Sequence, residues 1–152
     1  MIVEVQGLAE LNARLIAIAN GSDEAMRKGA YQTMARVERE AKMLVPTKTG
    51  NLKTSIHADT LPDGAYCSAG GGNGLKDVRY APYVEYGTAP HDILPVKARA
   101  LSWVAPGGRV FAMLVHHPGT APHPYFVPAI ELAMQSAEQD MKDAVDALIG
   151  ST

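Results

Sequence analysis

The sequence predicts an α+β fold, because two long segments with apolar residues at helical spacing flank a central stretch of short strand and turn signals. The first helical segment runs from Leu8 to Val45, and the second from about Pro128 to Gly150. With 152 residues, the chain has the length of one ordinary domain with one hydrophobic core. We therefore expect a single domain over residues 1–152.

The composition restricts the class of function. Hydrophobic residues make up 47% of the chain and charged residues 20%, as in soluble globular proteins. The formal charge of -2 lacks the basic excess of a protein that reads a nucleic-acid sequence, so we expect protein partners. No stretch approaches the ~20 apolar residues of a membrane span, and the start of the chain lacks the pattern of a signal peptide. We expect a cytosolic chain without membrane association.

The N-terminal part of the chain predicts a short strand and two helices. Alternating apolar and polar residues predict a strand over Ile2–Gln6. Helical spacing then predicts a helix over Leu8–Ala19, with a left-handed stop at Asn20-Gly21. Ser22 is a suitable N-cap for a longer helix, which Pro46 stops. The apolar stripe that we expect this longer helix to bury consists of Met26, Ala30, Met34, Val37, Ala41 and Leu44.

The segment after this helix predicts a turn and a β-hairpin. Val45–Leu52 is polar and contains a glycine, which predicts a turn. Leu52–Leu61 has strand character, Pro62-Asp63-Gly64 is a hairpin turn signal, and Ala65–Ala69 predicts the returning strand. Cys67, the only cysteine, excludes an internal disulfide, and we interpret it as a small residue of that strand.

Tyr80 to His91 is the stretch around which the remaining elements are arranged. Its aromatic first half predicts a strand that ends in a Gly-Thr turn, with Tyr83 and Glu85 on one face. An acid between tyrosines is expected to be shielded from water, so it needs hydrogen-bond donors, for which the Thr49-Gly50 amides and Thr88 are candidates. We interpret Glu85 as a structural residue. An exposed glutamate on an edge strand is the alternative.

The chain after Asp92 predicts a second hairpin and a final helix. Leu101–Val104 and Arg109–His116 have strand character and are separated by Gly107-Gly108. The proline-rich segment His116–Ala129 predicts an extended course, and Pro128 suits a first helical turn. The expected buried stripe of the final helix consists of Ile130, Met134, Ala137, Met141, Val145 and Leu148.

The pentapeptide GTAPH occurs twice, at residues 87–91 and 119–123. Two copies are too few for a repeat architecture, and the surrounding segments differ. We interpret the copies as two strands that leave a sheet by the same turn chemistry, and a duplicated ligand loop is the alternative. The glycine-rich stretch Gly70–Gly74 lacks the Lys and Ser or Thr of a phosphate-binding loop, so we interpret it as a flexible tip.

Histidines are the possible source of enzyme chemistry. His91, His116 and His123 could hold a metal ion, which makes a small metal-dependent hydrolase the alternative function. Adjacent His116 and His117 point to opposite faces of a strand, and no HExxH helix is present, so the spacing argues against such a site. No serine lies in the GxSxG elbow of a hydrolase triad.

Three blocks carry a family resemblance, and together they cover nearly the whole chain. The blocks are Pro46–Leu52 (PTKTGNL), Tyr80–Thr88 (YAPYVEYGT), and His117–Thr120 (HPGT) with Pro124–Ala129 (PYFVPA). Their order and spacing resemble the tail-component family of long-tailed bacteriophages, whose members are described as minor tail, tail-completion or head-tail joining proteins. The sequence departs from the family pattern at Tyr125, where phenylalanine is commoner, and at the glycine-rich tip.

The resemblance implies a structural protein rather than an enzyme, with no cofactor. It implies an α+β subunit with a curved sheet between helices, which assembles into a ring, expected to be a hexamer, between the tail tube protein and the head connector proteins. DNA would pass through this ring without specific binding, and the protein would be found in the virion and, during assembly, in the host cytoplasm.

No catalytic, cofactor-binding or metal-binding residue is expected. The residues that we expect to carry the motif or the assembly are Pro46, Thr49, Gly50, Leu52, Tyr80, Tyr83, Glu85, Gly87, Thr88, Gly119, Thr120, Phe126 and Pro128.

Overall fold

The computed structural model of the protein describes residues 7–71 and 78–151. These residues fall into two compact units, one from residues 7–71, 78–79 and 124–151 and the other from Tyr80–His123. The expected strand over Ile2–Gln6 and most of the glycine-rich tip lie outside the described residues.

Helices and short antiparallel strands make up both units, so the α+β class is confirmed. The helices are α1 (Leu8–Leu44), α2 (Asn51–Ser55), α3 (Ala81–Tyr86), α4 (Phe126–Met134) and α5 (Ala137–Gly150). The strands are β1 (His57–Leu61), β2 (Gly64–Ser68), β3 (His91–Ile93), β4 (Leu101–Ala105), β5 (Gly108–Ala112) and β6 (Val115–His117). Among the described residues they pair as three two-stranded sheets, β1-β2, β3-β6 and β4-β5, where we had expected one curved sheet.

The first unit is built on α1, which is continuous where the sequence predicted a stop at Asn20-Gly21. Gly21 serves the packing of helices instead, because a Cβ there would lie 2.5 Å from the Cδ1 atom of Leu148 on α5. The hydroxyl of Ser22 donates to the carbonyl oxygen of Ala19 at 2.9 Å, a bond within the helix that replaces the expected cap.

The buried face of α1 consists of small side chains. They are Ala25, Gly29, Thr33, Val37 and Ala41, spaced four residues apart. The predicted stripe is therefore correct at Val37 and Ala41 and wrong at Met26 and Leu44, which are exposed. This face packs against α4, α5 and the β1-β2 hairpin.

The second helical segment is divided, where the sequence predicted one helix. α4 ends at Met134, and Ser136 begins a new helix by accepting a hydrogen bond from the amide of Asp140 at 2.9 Å. The buried positions are Ala129, Ala133, Asp140 and Ala144, and Met134 of the predicted stripe is exposed. Met141 and Leu148 of that stripe do pack against α1, at Gly29 and Gly21.

A buried carboxylate links the two helical segments. Asp140, 6% exposed, accepts hydrogen bonds from the guanidinium of Arg36 at 2.6 Å and from the hydroxyl of Thr33 at 3.2 Å. Because its charge is paired and both oxygens have partners, this burial does not leave an unsatisfied ion.

Glu38 links α1 to the first hairpin. Its carboxylate accepts a hydrogen bond from the amide of Ala58 on β1 at 2.7 Å and pairs with Lys42 one turn along the helix. Burial acts to raise the pKa of Glu38, but the bonds from Lys42 and Ala58 outweigh it and hold the pKa below its ordinary value. The ionised form therefore fixes β1 against α1.

The first hairpin has the turn that the sequence predicted. β1 pairs with β2 across residues 62 and 63, and Cys67 lies in β2 as expected. The predicted strand over Leu52–Leu61 is wrong in its first part, where α2 forms. Gly50, at φ 80°, turns the chain, and the amide of Thr54 then donates to the Gly50 carbonyl at 2.9 Å as in a helical turn.

The predicted strand over Tyr80–Tyr86 is also wrong, because this stretch is the helix α3. Pro82 suits a first helical turn, and the amides of Tyr83 and Val84 both donate to the carbonyl oxygen of Tyr80. Ala81 and Glu85, four residues apart, are the buried positions of α3. Tyr83 and Tyr86 are mostly exposed.

The rest of the second unit contains two strand pairs. β4 pairs with β5 across residues 106 and 107, so the second predicted hairpin is confirmed. The strand predicted over Arg109–His116 is divided, since β5 pairs with β4 whereas β6 pairs with β3. Within the described residues, the β4-β5 hairpin makes substantial contacts only between its own strands.

We predict that Gly29→Ala lowers the free energy of unfolding by about 1–3 kcal/mol, although alanine favours helix. Its Cβ would lie 2.7 Å from the sulfur of Met141 and 3.0 Å from the Met141 Cα, so α5 would have to move. Gly150→Ala is the matched control, because a Cβ there meets open space. Urea unfolding of both variants checks this, and equal stability of Gly29→Ala and the original chain would contradict it.

Candidate functional site

The residues that the sequence singled out are distributed over both units. Pro46, Thr49, Gly50, Leu52, Phe126 and Pro128 lie in the first unit, and Tyr80, Tyr83, Glu85, Gly87, Thr88, Gly119 and Thr120 lie in the second. In the first unit, Leu52 belongs to the core, and Phe126 and Pro128 lie in the first turn of α4. In the second unit, the two Gly-Thr pairs come into direct contact.

The two GTAPH segments cross each other in antiparallel register. The amide of Thr88 donates to the carbonyl oxygen of Thr120 at 3.0 Å, and the amide of Thr120 donates to that of Thr88 at 3.1 Å. The same register continues into β3 and β6, where His91 lies opposite His117. The copies are therefore partners of each other, a relation that we did not predict, although the identical pentapeptides were its visible signal.

Glycine is required at both crossing points. Gly87 has φ 70° and Gly119 has φ 89°, a region that other residues rarely adopt. A Cβ at Gly87 would overlap the carbonyl oxygen of Thr120, and a Cβ at Gly119 would overlap that of Thr88. Each would also approach two further backbone atoms of the other copy to between 2.9 and 3.1 Å. The two backbones are thus closer than any side chain allows.

The threonine side chains at the crossing do not contribute in the way that we expected. The Thr88 hydroxyl is buried and has no hydrogen-bond partner among the described residues, and its amide is used by Thr120. Thr88 is therefore not the donor for the Glu85 carboxylate that the sequence suggested. The backbone of the crossing carries the interaction.

Glu85 is shielded, as we expected, although it lies on a helix instead of a strand. It is 5% exposed, so the alternative of an exposed edge-strand glutamate is wrong. The carbonyl oxygen of Val84, its neighbour on α3, accepts a hydrogen bond from the amide of His123 at 2.8 Å. α3 is thereby attached to the end of the second GTAPH segment.

Two histidines next to the crossing have opposite hydrogen-bond roles. The rings of His91 and His117 are stacked, with centroids 5.0 Å apart and planes 25° apart. Nδ1 of His91 lies 2.9 Å from the carbonyl oxygen of Ala89 and must donate, whereas Nδ1 of His117 accepts from the amide of Gly119 at 3.0 Å. In its neutral form His117 therefore carries its proton on Nε2, which leaves no ring nitrogen free to bind a metal.

The metal site of the hydrolase alternative does not form within residues 7–71 and 78–151. His116 contacts the carboxylate of Asp92 opposite it on β3, and His123 is held through its backbone. No group of three or more His, Cys, Asp or Glu side chains in this part of the chain is arranged to hold a metal ion.

Cys67 has the character of a structural thiol. Burial, and then the nearby carboxylate of Glu38, raise the pKa of Cys67 to about 11. At neutral pH the side chain is therefore a protonated thiol, which is a weak nucleophile.

We predict that Gly87→Ala and Gly119→Ala each lower the free energy of unfolding by more than about 2 kcal/mol, because each adds backbone strain and a backbone overlap. Gly107→Ala is the matched control from the same unit, since Gly107 lacks a positive φ and a Cβ there meets nothing within 4 Å. Denaturant unfolding followed by circular dichroism measures all three variants. If Gly87→Ala were as stable as Gly107→Ala, the close crossing would be incorrect.

We predict that Glu85→Gln lowers the free energy of unfolding by about 1–3 kcal/mol, because the amide cannot reproduce the acceptor geometry of a shielded carboxylate. Glu131→Gln, at an exposed position of α4, is the control and should change it by less than about 0.5 kcal/mol. Thermal melting of both variants tests this. Equal melting temperatures would contradict a structural role for Glu85.

Comparison with known proteins gives one finding. A family model described as "Bacteriophage HK97-gp10, putative tail-component" matches residues 9–87, which are 79 of the 152 residues of the chain. The matched part runs from the start of α1 through α3 and ends at the first crossing glycine. Neither the curated proteins nor the solved structures contain a match.

Proposed function

Because the chain belongs to the HK97 gp10-like family of bacteriophage tail components, we propose that it forms a ring at the junction between the phage tail and head. The family indicates a structural role in the virion. The ring, its position in the virion and its partners are what we propose beyond this structural role. In this role the protein catalyses no reaction, and it contributes to the virion by binding its neighbours in a defined geometry.

The observation that carries the proposal is the exposure of large apolar side chains. The faces by which the helices of the first unit meet are rich in alanine, glycine, threonine and valine, and many larger side chains remain outside. Phe111, Met113 and Val104 are 66%, 68% and 77% exposed, and the first turns of α1 expose leucines. Large exposed apolar side chains grouped on one hairpin and on one helix end support contact with other proteins.

The proposed partners are further copies of the chain, the tail tube protein and the head connector proteins. A ring presents two different faces, so one subunit type can bind a tail on one side and a head on the other. We propose six subunits in the ring, and assembly in the host cytoplasm before the protein enters the virion. The described residues contain no helix that is both long and apolar enough to cross a membrane.

DNA would pass through the proposed ring without specific binding. The formal charge of -2 supports this, because a chain without a basic excess does not retain the phosphate backbone strongly.

We predict that a phage from which this gene is deleted produces filled heads and complete tails that do not join. A plasmid copy of the gene should restore joined particles, and a copy with Gly87→Ala should restore fewer than a copy with Gly107→Ala. Electron microscopy and plaque counts measure both. Normal infectious particles from the deleted phage would overturn the structural role, whereas tails of abnormal length would place the protein elsewhere in the tail.

A further inference from the structure

Each unit exposes a group of large apolar side chains that its own elements leave uncovered. In the second unit, the hairpin surface consists of Val104 and Phe111, which lie on one face of the β4-β5 hairpin, and of Met113 just after β5. In the first unit, the helix-end surface consists of Leu8, Leu11, Leu15 and Ile16, which are all between 53% and 60% exposed. Two different apolar surfaces on one chain are what a head-to-tail contact between identical subunits requires.

The β4-β5 hairpin has few contacts with other elements of its unit. A two-stranded hairpin is marginally stable in water, and within the described residues β4 and β5 contact mainly each other. Phe111 pairs with Ser102 and Val104 with Arg109, so Phe111 and Val104 lie on the same face of the ladder. They are 66% and 77% exposed, whereas Trp103, on the other face, is 42% exposed.

The charges near the two surfaces are opposite in sign and unpaired. Lys97, Arg99 and Arg109 flank the hairpin surface, and the sequence has no acidic residue between Asp92 and Glu131. Beside the helix-end surface, Asp23 follows Ile16 by seven residues and lies on the same helix face. Glu10 and Arg14 lie on the other side of α1. None of these charges forms an ion pair within the described residues.

The two areas are of the size that a specific contact buries. From the exposures of their side chains, each of the two surfaces presents on the order of 400 Å² of apolar area. Their sum is about half of the roughly 1,600 Å² of a standard protein-protein interface, close to the apolar share of such an interface.

We propose that the hairpin surface of one subunit binds the helix-end surface of the next copy of the chain, with the basic residues of the hairpin facing Asp23 of α1. This inference rests on the proposed function and deepens it, because it names the contact by which the ring forms. The contact is heterologous, so each subunit binds one neighbour through its hairpin surface and the other neighbour through its helix-end surface.

Two variants and their mixture test the contact. The hairpin variant carries Val104→Thr and Phe111→Thr, and the helix variant carries Leu11→Gln and Leu15→Gln. The replacements suit a strand and a helix respectively, and all four positions are exposed, so each variant is expected to fold. Circular dichroism and melting confirm this before association is measured. The controls are Val96→Thr, at 94% exposure, and Met43→Gln, at 64%, which change exposed apolar residues outside both surfaces.

Native mass spectrometry and light scattering follow the association of the purified chain. The original chain and both controls are expected to form rings, and each variant alone should associate at least about tenfold more weakly. A mixture of the two variants should form one-to-one dimers and nothing larger, because it retains one intact hairpin surface and one intact helix-end surface. That dimer is the specific signature of a heterologous contact.

Three outcomes would overturn the inference. A helix variant that forms rings as the original chain does would show that the helix-end surface is not used. Self-association of the helix variant into dimers through its hairpin would show a contact between like surfaces. An original chain that stays monomeric up to its solubility limit would show that the surfaces bind another virion protein. If such a monomeric chain still restores joined particles to the deleted phage, the proposed function stands without the subunit contact.

Discussion

The structure depends on the close approach of α1 to α4 and α5 through small side chains. Gly29 lies so near Met141 that a single added carbon would overlap α5, and Ala25 and Ala41 continue the same face. Close approach fixes the helices by contact of backbone and short side chains, and the Arg36–Asp140 pair fixes their register. Several large apolar side chains of these helices, among them Met26, Leu132 and Met134, lie on the surface instead of between the helices.

The second unit reaches a defined geometry by a different route. All of Tyr80–His123 is described, and only Ala81 and Glu85 in it are buried. Backbone hydrogen bonds take the place of a hydrophobic core in this unit. The two GTAPH segments are joined by reciprocal hydrogen bonds between the backbones of Thr88 and Thr120. The β4-β5 hairpin of this unit stays exposed. Both units thus present large apolar side chains to their surroundings, as a subunit of a larger assembly requires.

Periodicity predicted the helices but could not say which face each one buries. A stripe at Met26 and Met34 and a stripe at Ala25 and Thr33 have the same spacing, and hydrophobicity favours the wrong one when helices meet through small residues. Gly21 carried the same ambiguity, since a glycine marks either a stop or a close contact. The strand predicted at Tyr80–Tyr86 failed because so short a stretch fits both periods, and the position of Pro82 was the better signal. The hairpin turns were predicted correctly because their residues determine them locally, whereas the GTAPH crossing joins segments far apart in the sequence.

Hydroxyl-radical footprinting of the free chain and of assembled particles tests most directly whether the large exposed side chains serve contact with other subunits. Leu11, Phe111 and Met113 should react readily in the free chain and become strongly protected in the particle, while the exposed Val96 should change less. Equal reactivity of Leu11, Phe111 and Met113 in both states would contradict the view that these exposed side chains serve assembly.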